Sequence, residues 1–216
     1  MDKDCIVNSS RFVFYDFGVE KTTLKQIAEA CNTTTSLIRY YYDSKESILA
    51  DLVRKYSLEI DSVIGDWFYS HGYQYDIFNI SQISMMLQFE LYRRDPQARK
   101  VYIDYLNSGL RHCFVENFEK TYRDADRARL FNLDRSYDQI PLLATAYHGM
   151  LLSVHYMYFS GRLNCTEEQI NDYLLLAFCR STGFPDEISK KEIDKVKGIF
   201  AQMKITIEPY FHIKLD

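Results

Sequence analysis

The sequence has few residues that interrupt helices, with 8 glycines and 4 prolines among its 216 residues. Strands joined by tight turns need many such residues, so their shortage favours long helices. Apolar residues recur at helical spacing along almost the whole chain, and the one strand-like alternation, Lys204–Glu208, is short and followed by Pro209. We therefore predict an all-α protein.

Motifs of common catalytic and cofactor sites are also missing. The sequence contains no G-x-G-x-x-G, P-loop, H-E-x-x-H or G-x-S-x-G pattern. Its five cysteines are widely spaced, without the C-x-x-C pair of a zinc or redox site. His148 and His155 lie seven residues apart, but no third metal ligand is near them in the sequence. We expect neither an enzyme nor a protein that holds a metal or cofactor.

The sequence offers no convincing targeting or membrane segment. Its first residues include Asp2 and Asp4 and lack the basic cluster and apolar run of a secretory signal, so we expect a cytoplasmic protein. Residues 139–161 contain no Asp, Glu, Lys or Arg and are long enough to cross about 30 Å of hydrocarbon. Two histidines and several tyrosines are nevertheless spread around this segment, which favours a helix buried within protein.

Positive charge is scarce overall but not evenly distributed. The formal net charge of −4 argues against a protein that coats nucleic acid indiscriminately. Between residues 21 and 45, however, four basic side chains stand against two acidic ones. This short region is therefore the candidate for contact with a phosphate backbone.

Helix starts are marked by capping pairs, in which Ser, Thr or Asp precedes Glu or Gln by three residues. Four pairs have this spacing: Thr23 with Gln26, Asp43 with Glu46, Thr166 with Gln169, and Ser189 with Glu192. They predict helices that begin just after each first residue.

Residues 23–42 have the spacing of a helix-turn-helix. Two short helices that cross steeply need a small residue on the first helix, a residue that tolerates left-handed backbone in the turn, and an apolar residue on the second. Ala28, Asn32 and Ile38 stand at these positions. Thr23 with Gln26 predicts the start of the first helix, and Thr34 is the expected cap of the second.

The exposed face of the second helix has the chemistry of a major-groove reader. Arginine pairs with guanine, threonine contacts a thymine methyl group, and tyrosine hydroxyls reach phosphate. The predicted DNA-binding residues are Thr23, Lys25, Thr34, Thr35, Ser36, Arg39, Tyr40, Tyr41 and Lys45. The alternative is a three-helix cluster whose Thr- and Tyr-rich face is an ordinary surface.

At these residues the sequence resembles the tetracycline-repressor (TetR) family. The resemblance lies in Phe17-Gly18, in residues 22–28 (TTLKQIA) and in residues 38–49 (IRYYYDSKESIL), without gaps. It implies a helix-turn-helix DNA-binding domain at 1–46 and a larger helical effector-binding and dimerisation domain at 47–216. It also implies a homodimeric regulator, usually a repressor, that leaves a palindromic operator when a small ligand binds. The family usually has glycine where this chain has Asn32 and Ser36.

The charge-free segment is the expected dimer seam, since a helix apolar on most sides can bury both faces. One side of it is small in the middle and permits close approach of another helix. The predicted interface residues are Ala146, Gly149, Ser153 and Tyr156, together with Tyr173, Leu174 and Ala177 of the following helix.

Aromatic and methionine side chains suggest a cavity for an apolar or aromatic effector. The predicted lining is Met86, Phe89, Glu90, Tyr102, Tyr105, His112, Tyr147 and His148, with Met85, Leu106 and Cys113 beside them. Glu90 and His148 would orient the ligand. The alternative for each aromatic is an ordinary place in the core.

A second function stays open on sequence grounds. Residues 1–50 carry six basic and seven acidic side chains, and the turn residue is asparagine rather than glycine. A helical ligand-binding or adaptor protein with weak or lost DNA binding is the alternative to a regulator.

Overall fold

The computed structural model describes residues 2–74, 76–108, 119, 122–123, 133 and 138–216. Its elements, in chain order, are α1 (Lys3–Lys21), α2 (Leu24–Ala30), α3 (Thr35–Tyr41), α4 (Lys45–Ser70), α5 (Ile77–Arg94), α6 (Pro96–Asn107), α7 (Ile140–Phe159), α8 (Glu167–Ser181), α9 (Asp186–Phe200), β1 (Ile205–Glu208) and β2 (His212–Leu215). The chain is thus built almost wholly from helices, as predicted.

Two of the four predicted caps are confirmed and two are wrong. Thr23 and Thr166 each form a capping box. For α4 the cap is Ser44, whose hydroxyl accepts from the Ser47 amide at 3.2 Å, so the helix begins one residue later than expected. Ser189 lies inside α9, because the helix begins directly after Pro185. Its hydroxyl donates to the Pro185 carbonyl at 3.0 Å.

Helix α4 is the centre of the molecule and packs against α1, α5 and α6. Its apolar stripe is buried and includes Leu49, Leu52, Tyr56, Ile60 and Ile64. Burial of this continuous stripe, rather than helix propensity, is the main source of stability for so long a helix. Because α4 packs against α1 and also against α5 and α6, it connects the small N-terminal helices to the larger part.

Helix α1 bends near its C-terminal end. Gly18 has φ +76°, a left-handed conformation that glycine adopts without a steric penalty. Thr22 stabilises the bend by donating its hydroxyl to the Gly18 carbonyl at 2.7 Å. Helix α6 packs here, and the Val19 amide donates to the Asp104 carboxylate at 3.3 Å.

A short antiparallel hairpin departs from the all-helical prediction. Strands β1 and β2 pair from Ile205 with Leu215 to Glu208 with His212. Phe211 in the turn is buried and stacks on Tyr56 of α4, with ring centroids 5.3 Å apart. Strand β1 is the alternating segment seen in the sequence. Strand β2, which follows the turn after Pro209, was not predicted.

Within the described ranges, none of the helices combines the length and hydropathy that a membrane span requires. Helix α7, which covers most of the charge-free segment, instead packs against α6 and α8.

Candidate nucleic-acid interface and ligand cavity

The helix-turn-helix has the predicted local geometry. Helix α2 starts with the Thr23–Gln26 capping box. Asn32 takes φ +51° in the turn, which confirms the left-handed position assigned to it. The Thr34 hydroxyl then accepts from the Leu37 amide at 3.2 Å and begins α3.

The crossing of α2 and α3 is fixed by apolar side chains. Ile27 and Ile38 are fully buried, and Ala28 is 2% exposed. A small residue at Ala28 lets the two helices approach closely, as the sequence predicted. With these contacts made, α3 presents its other side to solvent.

Most of the predicted DNA-binding residues are exposed to solvent, on α3 or on α2 and the helix caps. Thr23, Lys25, Thr34, Ser36, Arg39 and Tyr40 are exposed, whereas Thr35 and Tyr41 are half-buried. The Tyr40 ring is 80% exposed and meets the Tyr41 ring edge-on, with centroids 5.1 Å apart. Lys25 makes only an exposed, 3.8 Å ion pair with Glu29, which DNA phosphate can displace.

Lys45 has a different environment from the one expected. Its ammonium group donates to the carbonyls of Val19, Glu20 and Thr22 at 2.7, 3.0 and 2.9 Å. These groups lie at the C-terminal end of α1, where carbonyls lack helical partners. All three ammonium protons are used inside the protein, so we remove Lys45 from the set of proposed phosphate contacts.

A cavity of about 100 Å³ lies among α4, α5, α6 and α7. Apolar side chains form part of its wall, but many lining groups are polar. The described lining residues are Val53, Ser57, Asp61, Ser81, Gln82, Ser84, Met85, Gln88, Tyr102, Tyr105, Tyr122, Tyr147, His148, Leu151, Leu152 and His155.

Half of the predicted pocket residues line this cavity. They are Tyr102, Tyr105, Tyr147 and His148, and Met85 joins them. Met86 and Phe89 are buried in the core outside the lining, as is Leu106. His112 and Cys113 lie outside the described residues.

Glu90 is the clearest correction to the predicted pocket. Its carboxylate pairs with Arg93 at 2.9 Å and with Arg94 at 2.5 Å. Arg93 also pairs with Glu167 on α8 at 3.0 Å. Glu90 therefore belongs to a charged cluster at the end of α5 and does not reach a ligand.

Sequence reasoning missed the polar part of the lining. Ser57 and Asp61 are four residues apart on α4, and Ser81, Ser84 and Gln88 recur at helical spacing on α5. The sequence feature that could have identified them is their helical spacing, which places these polar residues on one face of each helix. Protein around Asp61 raises the pKa of its carboxyl by desolvation, although the residue is reached by solvent, and a hydrogen bond with Ser84 opposes that shift.

His155 is a deeply buried titratable group of the cavity. It is 1% exposed, and its Nδ1 lies 3.0 Å from the Tyr102 hydroxyl. Desolvation, aided by the nearby His148, lowers the pKa of His155 to about 3. The imidazole is therefore neutral at physiological pH.

In the described part of the chain, no group of three or more His, Cys, Asp or Glu is placed to hold a metal ion.

One face of α7 and α8 remains open to solvent. Ala146, Gly149 and Ser153 are exposed, Leu142 is 63% exposed and Tyr173 is 57% exposed. We call these five residues the α7–α8 face.

Three further residues were predicted for the dimer interface. Tyr156 and Ala177 are half-buried at the edge of the α7–α8 face. Leu174 is fully buried inside the chain, so its assignment to the interface is wrong. It follows Tyr173 directly and points inward instead, where its carbonyl accepts from the Tyr147 hydroxyl at 3.3 Å.

These features define a class of protein: a small helix-turn-helix domain joined by one long helix to a larger helical domain with an internal cavity. Residues 6–52 match the family model described as "Bacterial regulatory proteins, tetR family". This match covers the helix-turn-helix region and the start of α4, so this part of the chain is similar to the N-terminal region of that family. No curated protein sequence matches it.

Solved structures share the fold along nearly the whole chain. RolR bound to resorcinol is 13% identical, with a TM-score of 0.62 over 89% of this chain and 93% of that one. RolR without ligand is 16% identical, with a TM-score of 0.58 over 88% and 96%. A protein from Rhodococcus sp. assigned to the TetR family is 12% identical, with a TM-score of 0.53 over 84% and 98%. At these identities the similarity establishes the fold.

Proposed function

We propose that this protein is a ligand-responsive transcriptional regulator in the cytoplasm, without enzymatic activity, that binds a palindromic operator as a homodimer and represses transcription. A small, largely apolar or aromatic effector in the cavity would release it. The observation that carries the proposal is α3, which is anchored by buried Ile38 and presents Arg39 and Tyr40 to solvent directly after the left-handed turn at Asn32.

In the proposed complex α3 lies in the major groove. Arg39 pairs with a guanine edge, and Thr35 and Ser36, near the N-terminal end of α3, contact neighbouring bases. Lys25 and Tyr40 bind the phosphate backbone, which fixes the register of the helix but does not read sequence. Thr23 and Thr34, already used as helix caps, lie at the edge of this contact.

A dimer is required because two half-sites about 34–36 Å apart need two readers related by a two-fold axis. The α7–α8 face is the proposed seam. A Cβ atom placed on Gly149 meets nothing within 4 Å in the single chain, so this position leaves room for a helix of the partner subunit. Leu142 and Tyr173 would lose exposed apolar surface on association.

The proposed effector response uses helices that touch both parts of the molecule. Helix α6 lines the cavity with Tyr102 and Tyr105, and on its other side Asp104 accepts from the Val19 amide of α1. Helix α4 lines the cavity with Val53 and also holds the end of α1 through Lys45. A ligand that binds better to one position of these helices shifts the spacing of the two readers.

Fluorescence polarisation with DNA from upstream of the protein's own gene tests the DNA-binding part of the proposal. We expect saturable binding at low salt, and Arg39→Ala should weaken it by roughly 10- to 150-fold, the equivalent of one lost bidentate base contact. Lys190→Ala is the matched control, because Lys190 is an exposed cation on α9, far along the chain from α3. It changes the net charge equally and should leave the affinity unchanged.

The result that contradicts the proposal is equal binding by the wild type and Arg39→Ala, or no retention of any genomic fragment by the immobilised protein. Either outcome would favour a helical ligand-binding or adaptor protein. That alternative is motivated by the internal use of Lys45, which leaves Lys25 and Arg39 as the cations of the proposed interface.

A further inference from the structure

The charge of the cavity wall restricts the ligands it can hold. Among the described lining residues there is no Lys or Arg, and Asp61 is the one carboxylate. An anionic ligand would lose its hydration without gaining a countercharge, and Asp61 would repel it. The site therefore disfavours carboxylates and phosphates.

Gln82 supplies an acceptor that faces the cavity. The residue is 2% exposed, and its amide nitrogen donates to the Ser81 hydroxyl at 3.3 Å. Among the described residues, nothing donates to its Oε1 atom. A buried carbonyl oxygen without a partner is costly, so a ligand that donates to it gains free energy which an apolar ligand does not.

His155 supplies a donor. The buried Tyr102 phenol stays protonated because desolvation raises its pKa, and its hydroxyl lies 3.0 Å from His155 Nδ1. We assign the hydroxyl as the donor of this hydrogen bond. The neutral imidazole then carries its proton on Nε2. This atom has no partner among the described residues, although His155 lines the cavity.

We infer that the cavity binds a molecule without negative charge, about one ring in size, whose hydroxyl or amide groups donate to Gln82 Oε1 and accept from His155 Nε2–H. Val53, Met85 and Leu151 provide its apolar walls. The size follows from the volume of about 100 Å³, since cavities of about 150 Å³ hold benzene. That this molecule is the effector rests on the proposed function; its chemistry rests on the cavity.

Isothermal titration with four probes of similar shape tests the inference. Phenol both donates and accepts, anisole only accepts, toluene does neither, and benzoate is an anion. We expect phenol to bind most tightly, and anisole and then toluene to bind successively weaker by about three- to tenfold for each lost hydrogen bond. Benzoate should not bind.

Two variants assign the hydrogen bonds. Gln82→Met removes the acceptor at similar volume and should bring phenol to the affinity of anisole, while anisole binds as before. His155→Phe removes the donor and should weaken phenol and anisole but not toluene. Asn79→Leu is the matched control: Asn79 is also 2% exposed on α5 with an unpartnered Oδ1, but it is not among the described lining residues. It should leave every affinity unchanged.

The inference is overturned if toluene binds as tightly as phenol, if benzoate binds more tightly than phenol, or if no probe binds. The same titrations, carried out with the protein bound to operator DNA, distinguish failure of this inference from failure of the proposed function. Operator binding without any binding of phenol would refute the cavity chemistry alone. Phenol binding with no operator bound by the protein would refute the regulator alone.

Discussion

Acid should destabilise this protein through His155. The unfolded imidazole titrates near the ordinary value of about 6.5, whereas burial lowers the pKa of His155 in the folded chain to about 3. Between these values the unfolded state binds the proton more tightly. The contribution of His155 to stability is therefore fully present above pH 6.5 and is lost as the pH falls towards 3.

The size of the loss follows from the two pKa values. Below pH 6.5 the free energy of unfolding falls by about 1.4 kcal/mol for each pH unit. From pH 7.5 to pH 5.0 the loss amounts to about 2 kcal/mol per chain. This is a large fraction of the 5–15 kcal/mol that stabilises a typical domain, so it is measurable by urea denaturation.

Far-UV circular dichroism is the suitable probe of unfolding. The only tryptophan, Trp67, stacks on His71 with centroids 4.1 Å apart, so its fluorescence reports this local contact as well as unfolding. The comparison is between the wild type, His155→Gln and the control His212→Gln, which changes an exposed histidine on β2. All three are measured at equal protein concentration, because a dimer's stability depends on it.

We expect the wild type and His212→Gln to lose about 2 kcal/mol more than His155→Gln between pH 7.5 and 5.0. All other titrating groups are common to the wild type and His155→Gln and cancel in the difference between these two proteins. If His155→Gln loses as much stability as the wild type, the imidazole titrates normally. The assignment of His155 as a buried, neutral imidazole that donates through Nε2 would then be wrong.

Three further predictions concern the seam, α1 and the DNA interface. Gly149→Leu should convert the dimer to monomer in sedimentation velocity while helix content is retained, and Gly198→Leu, on an exposed position of α9 with open space, should stay dimeric. Lys45→Met should cost about 1–2 kcal/mol in urea denaturation, because three charge-assisted hydrogen bonds are lost, whereas Lys25→Met should change stability by less than about 0.5 kcal/mol. With Lys25 of two subunits on phosphate and Arg39 on a base, the slope of log affinity against log salt should be about −2, and Lys25→Ala should remove most of it. Each assignment would be contradicted by one result: a Gly149→Leu variant that stays dimeric, an unchanged urea denaturation curve for Lys45→Met, or a salt slope that does not depend on Lys25.

The helix-turn-helix was predictable from sequence because its constraints are local. Ala28, Asn32 and Ile38 lie within eleven residues, and each position tolerates few residue types for steric reasons. The same holds for the caps at Thr23 and Thr166, where the paired residues are three positions apart. Such features can be read without knowing which helices pack together.

The cavity was less predictable because it is made by four helices that are distant in sequence. The aromatic residues Tyr102 and Tyr105 were found from their type, but Phe89 has the same type and packs in the core. Side-chain type does not distinguish a lining residue from a core residue. Gln82 was missed because a glutamine on an amphipathic helix is ordinarily exposed.

The contacts of Lys45 differ from the predicted ones. The sequence predicted that Lys45 contacts DNA phosphates, whereas in the structure its ammonium group donates to carbonyls of α1. Because of these contacts, Lys45 connects α4 to α1. Lys45 opens α4 and holds the end of α1, while Asp104 of α6 holds the Val19 amide one residue beyond the Gly18 bend. Because α4 and α6 also line the cavity, we expect a ligand that moves either helix to move α1, and with it the proposed DNA-binding helices α2 and α3, of which α2 packs on α1.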